Sequence, residues 1–448
     1  MKTTAPGHVT SGVQVGKPLL AIRWIFPESA ATVSPIGHGV TSIGRDVTCE
    51  IALESDQLSR RHAEVERRGS GLFIRDLGSR NGVYVHGVRV NAAPVGLGEI
   101  VRVADVLGVV VEVPADALGA GFTTILPGYF AGPTLTSQLG PLRKAAKSDL
   151  PVVVQGETGV GKEGLARAVH VWSERTGPFI AVNCAALPES LAEGELFGYR
   201  KGAFTGADRA SPGHFRAANG GTLFLDEVLE LPASIQPKLL RVLEQREVVP
   251  IGESTPVPVN VRVVVAAQAP LREAVDEGRL RADMFARLDG LTIEIPSLRE
   301  RIGEVPFLLA QILSARAGSL LRPPPFDVGL AEQLCFYDWP FNVRELDLLA
   351  RQLLALHGEE PILRRSHLPA RFRAPAQQGP STRPQSEAPA PPPADGPDLE
   401  TALAVLRAHH GNIARTAAAL RISRQRLYRI MDDSDGAVNI SEMRKLSS

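Results

Sequence analysis

The stretch that most constrains this chain is Gly156-Glu157-Thr158-Gly159-Val160-Gly161-Lys162. It follows the apolar run Pro151 to Gln155 and opens a helical pattern from Glu163 to Ser173. Strand, glycine loop and helix in immediate succession predict an α/β unit with an anion cradle at the turn. Glycines let backbone N–H groups turn inward with no Cβ in the way. The helix contributes its positive N-terminal end and Lys162 a full charge suited to β/γ-phosphates. A glycine-rich turn that merely contains a lysine would stand alone, whereas this one has a companion. Gly220-Gly221-Thr222-Leu223-Phe224-Leu225-Asp226-Glu227 reads as an apolar strand ending in two carboxylates. Asp226 is suited to bind Mg²⁺ directly or through water, and Glu227 to polarise an attacking water.

At 448 residues the chain is long enough for about three domains. Lys+Arg and Asp+Glu both number 49, so net charge points to no polyanionic partner and any basic surface must be local. Cys49, Cys184 and Cys335 are far apart, without metal-ligand spacing, and suit a reducing compartment. No apolar run approaches the roughly 18 residues that span a bilayer. The start, Met1-Lys2-Thr3-Thr4-Ala5-Pro6, lacks the apolar core of a signal peptide. A cytoplasmic protein with no membrane partner is expected.

Residues 17–114 are a succession of short β-prone runs such as Leu19 to Ile25, Gly71 to Arg75 and Val106 to Val113. Closely spaced strands without helical periodicity predict an all-β sandwich. Its polar segments carry Gly44-Arg45, then Ser59-Arg60-Arg61-His62, then Ser79-Arg80-Asn81-Gly82. That order resembles the forkhead-associated (FHA) domain, a sandwich that binds phosphothreonine peptides through its loops. By the resemblance Arg45 and Ser59 would hold the phosphate, with Arg60 and Ser79 assisting. Asn81 would grip the peptide backbone and His62 would brace the loop. A guanidinium plus neutral donors at one rim is sensible phosphate chemistry in its own right.

Residues 115–134 read as a linker with little periodicity, and residues 135–374 as the second domain. Between its two nucleotide motifs lies Glu195-Leu196-Phe197-Gly198-Tyr199-Arg200-Lys201, followed by Gly202-Ala203-Phe204-Thr205-Gly206-Ala207. The hexapeptide GAFTGA is the signature of bacterial enhancer-binding proteins, AAA+ ATPases that remodel RNA polymerase carrying sigma-54. An aromatic on a glycine-flanked loop is costly in water and useful against a partner. The resemblance extends over an α/β P-loop NTPase with a helical lid and implies ATP and Mg²⁺ as cofactors. Gly156 to Lys162, Glu163 and the sensor II residue Arg344 would hold nucleotide. Asp226 would hold metal, and Glu227 would be catalytic with Asn183 restraining it. Arg281 and Arg287 would act in trans on a neighbouring subunit. Gly202 to Ala207 would contact sigma-54. The chain departs from the family at Ala267-Gln268, where Thr-Asn is usual, at Phe341 for Gly, and at Tyr199-Arg200 for His-Glu.

Residues 375–397 are rich in proline and predict an extended tether. Residues 398–433 resemble a Fis-type helix-turn-helix, an all-α unit, with residues 434–448 as a tail. Ser423, Arg424, Gln425, Arg426 and Arg429 would face DNA. The combined expectation is a multidomain, phosphopeptide-gated, sigma-54-dependent transcriptional activator. It would bind upstream double-stranded DNA as a dimer and hydrolyse ATP as a ring expected to be a hexamer. Its partners would be sigma-54 RNA polymerase and a phosphothreonine protein. The rival is an FHA scaffold and DNA-binding regulator whose ATPase is weak or inactive, which Ala267 and Gln268 keep open.

Overall fold

Strand Leu19–Phe26 begins the first layer: Leu20, Ile22 and Trp24 turn inward onto Ile43, Ala63, Val65, Leu72 and Ile74 of an opposing sheet. The structure, a computed structural model, describes residues 18–69, 71–114, 118–119, 121–205, 207–318 and 322–373. The tether, the helix-turn-helix with Ser423, Arg424, Gln425, Arg426 and Arg429, the tail and Gly206 lie outside the described residues.

The sandwich pairs a six-stranded sheet with a five-stranded one. In the first, Leu19–Phe26 is antiparallel to Val106–Val113 and to Thr32–Pro35. Its outer face is also covered. Ile25, Ile100, Leu107 and Val109 form one cluster with Ala331 and Cys335 of a helix far along the chain. Being buried on both faces, these strands read as near-continuous apolar runs instead of strict alternation. Arg102 closes the contact, donating through Nε to Glu332 at 2.9 Å, with its guanidinium 3.5 Å from the Tyr84 ring centroid. Phe26 and Phe326 stack nearby with centroids 5.3 Å apart.

The stretch expected to be a linker instead contains a hairpin, Thr123–Leu126 with Tyr129–Ala131. Gly128 supplies the turn at φ +75°. Tyr129 lies against helix Lys162–Trp172, where a Cβ on Gly164 would come within 2.6 Å of its ring. Strands this short leave too few residues for a period-2 signal in the sequence.

The second layer is a parallel sheet ordered Phe179–Asn183, Thr222–Asp226, Arg262–Ala267, Val152–Gln155, Leu291–Glu294. Val152 and Val154 pack into one cluster with helices Pro133–Ala146 and Lys162–Trp172, while Val153 faces the opposite one. A sheet covered on both sides requires such apolar runs. The lid comprises helices Val305–Ala317, Val328–Cys335 and Asn342–His357 around Leu309, Leu334, Trp339, Leu346 and Leu353. The 3-10 segment Leu298–Glu304 joins sheet to lid. Among the described residues no helix is long and apolar enough to cross a membrane.

Candidate functional site

Three neighbouring strands end at one edge of the parallel sheet: Val152–Gln155, Arg262–Ala267 and Thr222–Asp226. In open α/β sheets ligands sit beyond such carboxyl ends. The loop after Gln155 adopts positive φ at Gly156 (+146°), Gly159 (+81°) and Gly161 (+109°). A Cβ at Gly159 would lie 2.3 Å from the Phe341 carbonyl oxygen, so only glycine fits there on both counts.

Lys162 opens the following helix and is buried, donating from Nζ to the Gly156 carbonyl at 2.7 Å and the Glu157 carbonyl at 3.2 Å. Burial holds its pKa below the usual lysine range; Asp226 and Glu227 oppose that shift and Arg344 adds to it. Burial raises the Asp226 pKa, and Lys162 pulls it back. Two cations and two carboxylates therefore feel one another across the glycine loop. Arg344 follows the start of helix Asn342–His357, and its N–H donates to the Gly159 carbonyl at 3.3 Å. Val160 is buried, its carbonyl accepting from Arg301 Nη2 at 3.2 Å, and the Thr158 carbonyl accepts from Asn342 Nδ2 at 3.0 Å. Glu163 is engaged on its own helix face by Arg167 at 2.7 Å.

Glu227 sits at φ +54°, and its Oε1 accepts from Gln268 Nε2 at 2.7 Å. Asn183, expected to restrain Glu227, instead accepts through Oδ1 from the Ala185 N–H at 2.9 Å as the cap of a short turn. Its side chain is shorter and committed locally, whereas glutamine spans the gap from the adjacent strand end. Arg281 pairs with Asp283 at 2.7 Å, and Arg287 donates to the Leu243 carbonyl at 2.8 Å. Both partners are local to this face of the domain.

The Gly202 to Ala207 loop is closed by Gly202 N–H to the Ala207 carbonyl at 2.8 Å and Ala207 N–H to the Phe204 carbonyl at 3.0 Å. Phe204 is 42% exposed and leans edge-on against Tyr199, with centroids 5.0 Å apart. The departure at Tyr199 thus supplies the aromatic side chain on which Phe204 rests. Ala203 and Thr205 lie on the same closed loop.

In the sandwich, the Arg45 N–H donates to the Ser59 carbonyl at 3.1 Å, leaving its guanidinium exposed. Arg60 is exposed beside it. The Ser59 hydroxyl accepts from Arg80 N–H at 3.3 Å, and Asn81 Nδ2 donates to the Gln57 carbonyl at 2.7 Å. Ser79 is buried, its hydroxyl accepting from the Gly82 N–H at 2.9 Å, so it sits beneath the rim as a brace instead of on it. His62 is fully buried; Nδ1 accepts from the Ser59 N–H at 3.1 Å and Nε2 donates to the Gly82 carbonyl at 3.1 Å. Burial is the main cause that lowers its pKa.

Comparison with known proteins places these features in order along the chain. Residues 131–294 match the sigma-54 interaction domain, residues 41–104 the FHA domain and residues 299–385 the AAA+ ATPase lid domain. The pathogenicity-locus regulatory protein HrpR of Pseudomonas syringae pv. syringae is 46% identical over 210 residues, 47% of this chain and 67% of HrpR. The chain belongs to the sigma-54 interaction domain family. The transcriptional regulator NtrC of Bradyrhizobium sp. (strain RP501 Parasponia) is 42% identical over 253 residues, 56% of this chain and 52% of NtrC. The sigma-54-dependent transcriptional activator SfnR of Pseudomonas putida is 44% identical over 232 residues, 51% of this chain and 63% of SfnR. The chain spans about half the length of the NtrC relatives it matches.

For a sigma-54 interaction domain protein, the residues that sequence reasoning underused are Gln268, Asn342 and Arg299. Gln268 was visible only as a departure from a motif, with no hint that it reaches Glu227. Asn342 and Arg299 lie more than a hundred residues from the glycine loop they touch, and no spacing rule brings such residues together.

Proposed function

We propose that this chain is an ATP-hydrolysing transcriptional activator that remodels sigma-54 RNA polymerase, with phosphothreonine recognition by the FHA domain as input. The observation that carries the reading is the charge arrangement around the glycine loop. Lys162 feels the charges of Asp226, Glu227 and Arg344, and the loop and Asp226 lie at the carboxyl ends of adjacent strands of one parallel sheet. The residues fit MgATP: the loop turns through three positive-φ glycines that leave backbone N–H groups free of side chains, and Asp226 is a half-buried oxygen donor in the field of Lys162. Residues Gly156 to Glu163 would hold the phosphates, Arg344 would bridge lid and nucleotide, and Asp226 would hold Mg²⁺. Bound there, the metal would neutralise charge on the phosphates.

Glu227 orients and polarises the attacking water, and Gln268 takes the restraining part that Asn183 was expected to play. Arg281 and Arg287 complete a neighbour's site, which makes activity depend on ring assembly, a hexamer in this reading. Phe204 and Thr205 carry the stroke to sigma-54, and residues 398–433 hold upstream DNA as a dimer, all in the cytoplasm. Arg45 and Ser59 meet the phosphate of a phosphothreonine protein, Arg60 adds charge, and Asn81 holds the peptide backbone.

A second reading has one observation in its favour. Ala267 offers no hydroxyl and Glu227 is tied to Gln268, an arrangement compatible with a slow ATPase serving an FHA scaffold and DNA-binding regulator. Open-complex formation by sigma-54 polymerase on a double-stranded promoter fragment separates the two. The wild-type chain with ATP should give open complexes, and Thr205→Ala should hydrolyse ATP near the normal rate without giving them. Equal output from both would remove the Gly202 to Ala207 loop from the mechanism.

A further inference from the structure

Asn342 occupies an unusual position. It is completely buried and adopts φ +53°, a left-handed conformation that costs a non-glycine residue about 1 kcal/mol or more. Its side-chain amide bonds three residues in two separate segments. Oδ1 accepts from the Leu298 N–H at 2.7 Å, at the start of the 3-10 segment. Nδ2 donates to Glu157 Oε2 at 3.1 Å and to the Thr158 carbonyl at 3.0 Å, both in the glycine loop. The same Glu157 carboxylate is gripped by both arms of Arg299: Nη1 donates to Oε2 at 2.9 Å and Nη2 to Oε1. These bonds, that of Arg299 first, hold the Glu157 pKa below the usual carboxylate range.

We infer that Asn342 and Arg299 are positioning residues that act through Glu157 to fix the phosphate loop against the lid. This deepens the nucleotide-hydrolysis reading and rests on it. Asn342 begins the helix that carries Arg344, so one side chain sets the register between a lid cation and the loop it faces. A bidentate arginine–carboxylate pair adds geometric specificity that a single bond lacks. Loop and lid therefore move together, and nucleotide meets a cradle already shaped, which lowers the ordering cost of binding.

The decisive test exchanges donor and acceptor. Asn342→Asp keeps the acceptor for Leu298 but removes both donors and sets a carboxylate against Glu157. The Glu157→Gln/Asn342→Asp double variant restores a donor–acceptor pair with reversed polarity. Asn342→Gly keeps the positive φ while deleting the amide. In the full chain, Asn342→Asp should raise the ATP KM and weaken binding of a fluorescent ATP analogue about tenfold, with kcat changed less. The exchange restores the Glu157 contact but leaves the Thr158 carbonyl without its donor and loosens the Arg299 fork, so it should recover part of that loss, and Asn342→Gly should lie between. Without nucleotide, amide hydrogen exchange across residues 156–161 should rise in Asn342→Asp and fall again in the exchange variant, a readout that needs no ATPase activity. Unchanged exchange and affinity within twofold of wild type in Asn342→Asp would overturn the inference. So would a defect that the reversed pair leaves untouched. A wild-type chain that protects this loop yet binds no ATP analogue would instead sink the nucleotide reading and leave the clamp as lid architecture.

Discussion

Gln268 shows what one side chain changes. An amide donating to Glu227 at 2.7 Å holds the carboxylate in place and occupies one of its two oxygens. Replacing Ala267-Gln268 by Thr-Asn shortens the reach by one methylene and adds a hydroxyl. The double variant is expected to raise kcat about fivefold, roughly 1 kcal/mol of barrier, with KM little changed. Steady-state kinetics decide it, and no gain would show a site already tuned around glutamine. His62 gives a second residue-scale prediction. Its Nδ1 accepts a backbone N–H, so the ring is neutral with the proton on Nε2, and protonation would set two donors face to face. The folded pKa lies below the ordinary 6.5, so between the two values the unfolded chain binds the extra proton. Stability from this group is thus present above pH 6.5 and is lost as pH falls through the folded pKa. Thermal melts of the chain across this pH range should show this acid loss, and a His62→Gln variant should flatten it; an unchanged slope would refute it. Brace and rim residues were legible as motif letters, but the burial that separates Ser79 from Arg45 was not, because burial depends on neighbours that only the folded chain brings together.

At the scale of elements, the glycine loop was the most legible part, since strand, turn and helix are local and each is encoded by residues within reach of one another. The chain's strands Leu19–Phe26 and Val106–Val113 were legible as strands, yet their continuous apolar character had a cause hidden in the sequence: a lid helix covers their outer face. The hairpin at Thr123–Ala131 was illegible for the opposite reason, being too short to show a period. Gly159→Ala tests the loop as an element. Its Cβ would meet the Phe341 carbonyl at 2.3 Å while φ stands at +81°, so loop or lid must shift. ATP affinity should fall at least about tenfold, since a positive φ alone costs about 1 kcal/mol or more. Calorimetric titration with ATP checks this, and wild-type affinity would show the loop to be more plastic than its contacts imply.

Over the whole molecule, the sandwich, the parallel sheet and the lid form one compact unit. Arg102 and Glu332 are the polar centre of the sandwich–lid contact, with side chains 15% and 9% exposed. Removing one partner of a mostly buried pair leaves a desolvated charge, so Arg102→Met should cost about 3 kcal/mol and let the sandwich melt separately from the rest. Arg102→Met/Glu332→Leu should recover much of that loss, because neither charge is then stranded. Differential scanning calorimetry distinguishes the cases, and a single unchanged transition in Arg102→Met would show that the apolar contacts suffice. Sequence motifs indicated which domains are present, but a contact between residues 230 positions apart has no local signature.

The central claim is that the chain hydrolyses ATP at sites completed by a neighbouring copy. The direct measurement is steady-state ATPase rate per chain as protein concentration rises, for wild type, Glu227→Ala and Arg287→Ala. The account predicts a wild-type rate that climbs with concentration, a Glu227→Ala chain that binds ATP without turnover, and an Arg287→Ala chain that stays low at every concentration. A rate independent of concentration and equal in wild type and Arg287→Ala would contradict it, as would turnover by Glu227→Ala at the wild-type rate.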